Sequence, residues 1–247
     1  MAPKFSSWQI VLRIVGVAFF LATVFTLWPR PGQNFGGWNS SMTILLTPLA
    51  APTGAPQALR IGVVAGHMGN DAGAVCRDES GNVTLSEAEV NYKIATLVQE
   101  KLKNKGFQVD LLQEFDTRLN GYRAVTLISI HNDSCEYINE DATGFKVAAA
   151  ANVYDHNRAV RLTECLRDRY QRLTGLRFHA GSITRDMREY HAFSEIDPTT
   201  IAAIIETGFL NLDRDYLLSH TDQVAEGIVQ GILCFVYNEN IAPTMQP

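Results

Sequence analysis

The sequence predicts an α/β fold, a single layered domain on a largely parallel sheet flanked by helices, preceded by one N-terminal transmembrane helix. Two patterns lead there. Short continuous apolar runs alternate with stretches whose apolar residues recur at helical spacing, the arrangement of βαβ units. Ahead of them, an apolar run of bilayer length gives way to a proline- and glycine-rich stretch. The remainder of the chain has the size of one ordinary domain.

The apolar run extends from Trp8 to Trp28, interrupted only by Gln9 and Arg13. That is close to the roughly 20 residues a helix needs to cross a bilayer core. Arg13 can snorkel at one end, and the two tryptophans suit the two interfaces. Residues 1–28 are therefore expected to be a membrane anchor, or else a signal segment that is cleaved and leaves a secreted protein. Either way the domain is exported. Residues 29–58 hold Pro29, Pro31, Gly32, Gly36, Gly37, Pro48, Pro52, Gly54 and Pro56, the composition of a flexible linker. The domain is expected over residues 59–240, and 241–247 as a tail.

Within the domain, Leu59 to Ala65 reads as a buried strand ending at Gly66-His67, followed by a glycine-rich loop. A helix is predicted from Glu87 to Asn104, with Val90, Ile94, Leu97, Val98 and Leu102 on one face. Ser86 and Glu89 form a capping-box pattern at its start, and Gly106 stops it. Phe107 to Leu112 and Ala124 to Ile130 are the next strands, the second ending at His131. A helix over 157–173 comes next, then a buried run from Ile201 to Ile205 ending at Glu206, and a closing helix over 221–237.

Composition narrows the function. With 46% hydrophobic residues, 19% charged and a formal net charge of -5, the chain lacks the broad basic surface of a nucleic-acid binder. Three strand ends carry His67, His131 and Glu206, and open α/β sheets gather functional groups beyond the carboxyl ends of their strands. Singly, each is weak evidence, and a histidine after a strand is more often a structural residue. Glu87 stands in the first turn of a helix, either as an acid favoured by the helix dipole or, with Glu89 engaged in the cap, as a group free to face the loop after His67. Two histidines and a carboxylate with an open fourth position make a catalytic zinc set, and a further carboxylate can move the proton.

At these residues the chain resembles the zinc-dependent N-acetylmuramoyl-L-alanine amidases of the amidase_3 type. IGVVAGHMGNDAGA is similar to that family's opening strand and metal loop, which makes His67 the first ligand. EAEVNYKIATLVQEKLKNKGFQVDLL resembles its ligand-bearing helix and next strand, placing Glu87 second. ISIHND and IIETGFL are similar to the segments of the third ligand, His131, and the catalytic glutamate, Glu206. The resemblance implies a mixed sheet flanked by helices, one Zn2+ ion, and peptidoglycan as substrate. The implied reaction is hydrolysis of the amide between N-acetylmuramic acid and L-alanine during cell-wall remodelling or turnover. An exported zinc peptidase and a non-catalytic peptidoglycan-binding protein are the alternatives.

The chain departs from the family in a longer loop between His67 and Glu87, which leaves Glu79 and Glu89 as alternative ligands. Asn132-Asp133 comes after the third ligand in place of alanine-asparagine, and Asn211-Leu212 comes after IIETGFL in place of serine-asparagine. His191 lies in a divergent stretch, as a packing or surface residue or an additional member of the site; His156, His179 and His220 have no motif around them. Four cysteines in an exported domain permit disulfides in three pairings. Cys76–Cys135, both just beyond candidate metal residues, and Cys165–Cys234, joining two predicted helices, are the favoured pairs; buried free thiols are the alternative.

Overall fold

The computed structural model describes residues 58–241 of the chain. The predicted anchor, the linker up to residue 57 and the tail beyond Ile241 lie outside them. Among the described residues, no helix is long and apolar enough to cross a membrane.

The chain runs through β1 (Arg60–Ala65), β2 (Val75–Arg77), β3 (Val83–Ser86), α1 (Glu87–Asn104), β4 (Gln108–Leu112), β5 (Thr126–Asp133) and β6 (Lys146–Ala149). It continues through α2 (His156–Thr174), the short α3 (Arg185–Arg188) and α4 (His191–Glu195), β7 (Ile201–Phe209), α5 (Arg214–Ser219) and α6 (Thr221–Val236). Five strands form one sheet in the order β4-β1-β5-β7-β6. Four are parallel, and β6 pairs antiparallel with β7, so the sheet is mixed.

Side chains alternate across the sheet with a period of two, which assigns each strand residue a face. Ile61, Val63, Ile128, Ile130, Ala203 and Ile205 pack on one side with the apolar faces of α1, α2 and α6. Val64, Leu127, Ala148, Ala202 and Ile204 form a smaller cluster on the other, under Met187, Ala192 and Phe193 from α3 and α4. Each fully buried isoleucine, valine or leucine among them contributes roughly 1.5–3 kcal/mol. The two helices that meet most closely are α2 and α6: a Cβ at Gly231 would lie 2.8 Å from Leu166 Cα, and one at Gly227 would lie 2.9 Å from the Tyr170 ring.

The start of α1 obeys its sequence closely. Ser86 Oγ accepts from the Glu89 N–H while the Glu89 carboxylate accepts from the Ser86 N–H, satisfying two free donors at the helix start. Two expectations change. The loop after His67 contains an antiparallel hairpin, β2–β3, whose strands are too short to register as apolar runs. Asp78 closes its turn by accepting from the Ser80 and Asn82 N–H groups. Strands β5 and β7 also run on past His131 and Glu206 rather than ending there, because the backbone ladder persists after the apolar side chains stop.

Both favoured disulfides are present. Cys76–Cys135 joins the hairpin to the segment after β5, and Cys165–Cys234 joins α2 to α6.

Candidate active site

The carboxyl ends of β1, β5 and β7 lie side by side, and the residues singled out in the sequence meet there. His131 and Glu206 are register partners on β5 and β7, and Lys146 of β6 pairs with Glu206 from the other side. By the period-two rule, all three point to the face carrying the smaller apolar cluster. His67 comes after β1 through Gly66, and Glu87 reaches in from the first turn of α1. Candidate ligand atoms of His67, Glu87 and His131 lie within 4.8 Å of one another.

Glu87 is the hub. Its Oε2 lies 3.3 Å from His67 Nε2 and accepts the Ala74 N–H at 3.0 Å. Its Oε1 lies 3.2 Å from His131 Nδ1 and accepts the Asn132 N–H at 3.2 Å. Burial alone would push this carboxyl up, but hydrogen bonds from His131 and His67 outweigh it and hold Glu87 well below the ordinary range. The same bond to Glu87 lifts His67 to about 9, against the pull of burial. Glu89 is taken by the helix cap and Glu79 sits exposed on the hairpin turn, so neither alternative joins the cluster.

The backbone is shaped around these side chains. His67 itself has φ 64°, the left-handed region that a non-glycine residue rarely adopts and that functional sites use to aim a side chain. A Cβ on Gly66 would come within 2.4 Å of the His131 ring. One on Gly73 (φ 60°) would come within 2.6 Å of Glu87 Oε2 and 2.8 Å of the His67 ring. The two glycines leave the room the imidazoles and carboxylate occupy.

Several contributors are not evident in the sequence. Asp71 Oδ1 sits 2.6 Å from His67 Nδ1, on the ring edge away from Glu87. Asn91 donates to the Gly66 carbonyl and to Glu87 Oε1, and accepts from Asn132 Nδ2 at 2.7 Å. Thr207 donates to Asn132 Oδ1, completing a buried polar chain linking β1, α1, β5 and β7. Asn132, a departure from the family pattern, is thus a structural member of the site. Glu114 lies two residues past β4, also at the carboxyl end of a parallel strand, and that position was the only clue to it. His191 reaches Glu114 and belongs to the site's surroundings, while exposed His156 and His220 do not; His179 bonds Ser182.

Glu206 is only partly exposed, and its Oε2 is buried without a hydrogen-bond partner. Burial pushes it up to about 7. Nearby, the buried Lys146 ammonium pairs with Asp133. A carboxyl in this state can both accept and release a proton near neutrality.

The donor set fits a metal ion on geometric grounds. Ligands about 2 Å from a tetrahedral centre stand roughly 3.3 Å apart. One nitrogen of each imidazole stands at about that spacing from Glu87, each from a different carboxylate oxygen, and two imidazoles plus a carboxylate within 4.8 Å suit a divalent ion such as zinc.

Fold and cluster together define a class: an α/β domain with a potential metal site at the carboxyl ends of its parallel strands. Residues 61–234 match the amidase_3 family, described as N-acetylmuramoyl-L-alanine amidase, and the chain belongs to that family. Among solved structures, it is similar to the N-acetylmuramoyl-L-alanine amidase of Clostridium difficile 630, at 22% identity and a TM-score of 0.57, over 75% of this chain and 100% of that one. It is also similar to AmiC2 of Nostoc punctiforme (21% identity, TM-score 0.52, 72% and 97% covered). A third is Ami1 of Mycobacterium smegmatis (16% identity, TM-score 0.55, 74% and 98% covered). At these identities the likeness speaks for the fold. No curated protein matches the sequence significantly.

Proposed function

We propose that the protein hydrolyses the amide bond between N-acetylmuramic acid and L-alanine in peptidoglycan, with a zinc ion held by His67, Glu87 and His131. One observation carries this reading: in a chain of this family, those three residues converge around Glu87, with Glu206 on the adjoining strand. Bound there, zinc would supply Lewis-acid polarisation of the scissile carbonyl and a more acidic water.

The chain's own groups divide the remaining work. Asp71 fixes the His67 tautomer that turns Nε2 toward Glu87, as carboxylates commonly do behind metal-binding histidines. Asn91 and Asn132 hold the Glu87 carboxylate in place. Glu206 is the general base and acid, taking the proton from water and returning it to the departing amine of L-alanine. Lys146 beside it favours the ionised carboxyl, an effect its ion-pair partner Asp133 opposes. Residues 1–28 would tether the domain to the cell membrane on its outer side, with residues 29–58 as the leash, within reach of the wall.

Incubation with purified sacculi tests the reading. Release of stem peptides with a free L-alanine amino group, abolished by chelator and restored by zinc, is the expected result. Cleavage confined to peptide bonds would make the protein a zinc peptidase; binding to sacculi that survives chelation without any product would make it a non-catalytic wall binder. Glu206→Gln should keep its zinc while hydrolysis falls by ~10²–10⁴.

A further inference from the structure

Glu114 has no part in that reaction, yet it is buried against three histidines. Its Oε2 accepts the His67 N–H at 2.7 Å, and its own N–H donates to the Met68 carbonyl at 3.1 Å. Main chain and side chain together therefore grip the turn in which His67 adopts its left-handed conformation. The same oxygen lies 3.8 Å from His131 Nε2, a buried nitrogen with no hydrogen-bond partner. On its other side, Glu114 Oε1 meets His191 Nε2 at 3.0 Å. His191 is itself fixed by Glu195 at 2.9 Å on Nδ1 and by stacking on Phe115 at 4.2 Å. Tyr190 closes the arrangement, its ring edge-on to His131 at 5.4 Å.

Both imidazoles have a carboxylate behind them, hydrogen-bonded at 2.6 Å for His67 and a charge 3.8 Å away, without a hydrogen bond, for His131. Each turns one nitrogen toward Glu87 and the other toward a separate carboxylate, Asp71 behind His67 and Glu114 behind His131. A negative charge behind an imidazole favours the tautomer whose lone pair points away from it, and makes that lone pair a better donor. Glu114 acts twice, through the His67 backbone and through the His131 ring.

We propose that Glu114, braced by His191, is a positioning residue of the metal centre, holding the His67 turn and placing a negative charge behind the His131 ring, whose Nδ1 faces Glu87. The proposal rests on reading His67, Glu87 and His131 as metal ligands. It gives the stretch containing α4, which covers the sheet face bearing His131 and Glu206, a part in supporting the metal centre through His191.

Zn2+ affinity of the full-length chain, measured by competition with a chromogenic chelator, separates the two claims. The wild type should bind one Zn2+ and His67→Ala none. Glu114→Ala should bind ~10- to 100-fold more weakly. Glu114→Gln should recover part of that loss, because its amide oxygen can still accept the His67 N–H. His191→Gln should weaken binding several-fold in the same direction. With Co2+ as probe, the visible absorption bands should shift in Glu114→Ala, a change that general loosening of the fold would not produce at saturating metal. Should Glu114→Ala fail to fold, as judged by circular dichroism, His191→Gln decides alone. Undiminished binding in His67→Ala would remove the metal-centre reading and this proposal with it. Loss of binding there, with wild-type affinity and Co2+ spectrum in Glu114→Gln and His191→Gln, would overturn this proposal and leave the centre standing.

Discussion

Burial of one carboxyl has a measurable thermodynamic cost. In the folded, metal-free chain Glu206 titrates at about 7, against an ordinary value of 4.5. Between those values the unfolded chain has released a proton that the folded chain retains. Stability therefore falls as pH rises from about 4.5 to 7, and levels off above. Glu206→Gln removes the ionisable group and with it this loss. Relative to wild type, the chelated variant should gain about 2–3 kcal/mol between pH 4 and pH 8, read from denaturant melts. A difference that does not change with pH would refute the burial argument. Asp71 gives a second residue-level expectation. Asp71→Asn leaves the ring contact possible but removes the charge behind His67 Nδ1, so Zn2+ affinity should drop ~10-fold or more, by the same chelator competition.

Among the elements, the contact between α2 and α6 has the least slack. Gly231 brings α6 so close to Leu166 that any larger side chain must separate the helices. Gly231→Leu should cost about 1–3 kcal/mol, seen as a melting temperature lower by several degrees. Cys165–Cys234 ties the same pair, and replacing both cysteines with alanine should cost about 2–5 kcal/mol while Zn2+ affinity, measured on the folded protein, stays near wild type. Cys76–Cys135 is placed differently, between the hairpin after His67 and the end of β5. Its removal should reduce Zn2+ affinity as well as stability. Equal affinities for the two double variants would argue that the hairpin plays no part in holding the loop.

For the whole molecule, the His67–Glu87–His131 cluster joins β1, α1 and β5, so an ion bound there would oppose global unfolding. At a hundredfold excess over its Kd, Zn2+ should stabilise the chain by about 2.7 kcal/mol, and chelator should reverse it. A melting temperature indifferent to zinc would contradict a site that spans three elements.

Much of this was legible in the chain itself. The span of α1 and its cap were written in Ser86, Glu89 and a 3.6-residue apolar period, all local in sequence. Likewise His67, Glu87, His131 and Glu206 stood out because each ends an apolar run or opens a helix, and helix and strand periodicities are local properties. Asp71, Asn91 and Thr207 carried no such mark, and Glu114 only its place two residues past β4. Their roles come from groups as far as 77 residues apart, as between Glu114 and His191, brought together by the strand order β4-β1-β5-β7-β6. A local pattern records which way a side chain faces along its own element. Which distant groups it then meets is decided only when strands pair and layers close.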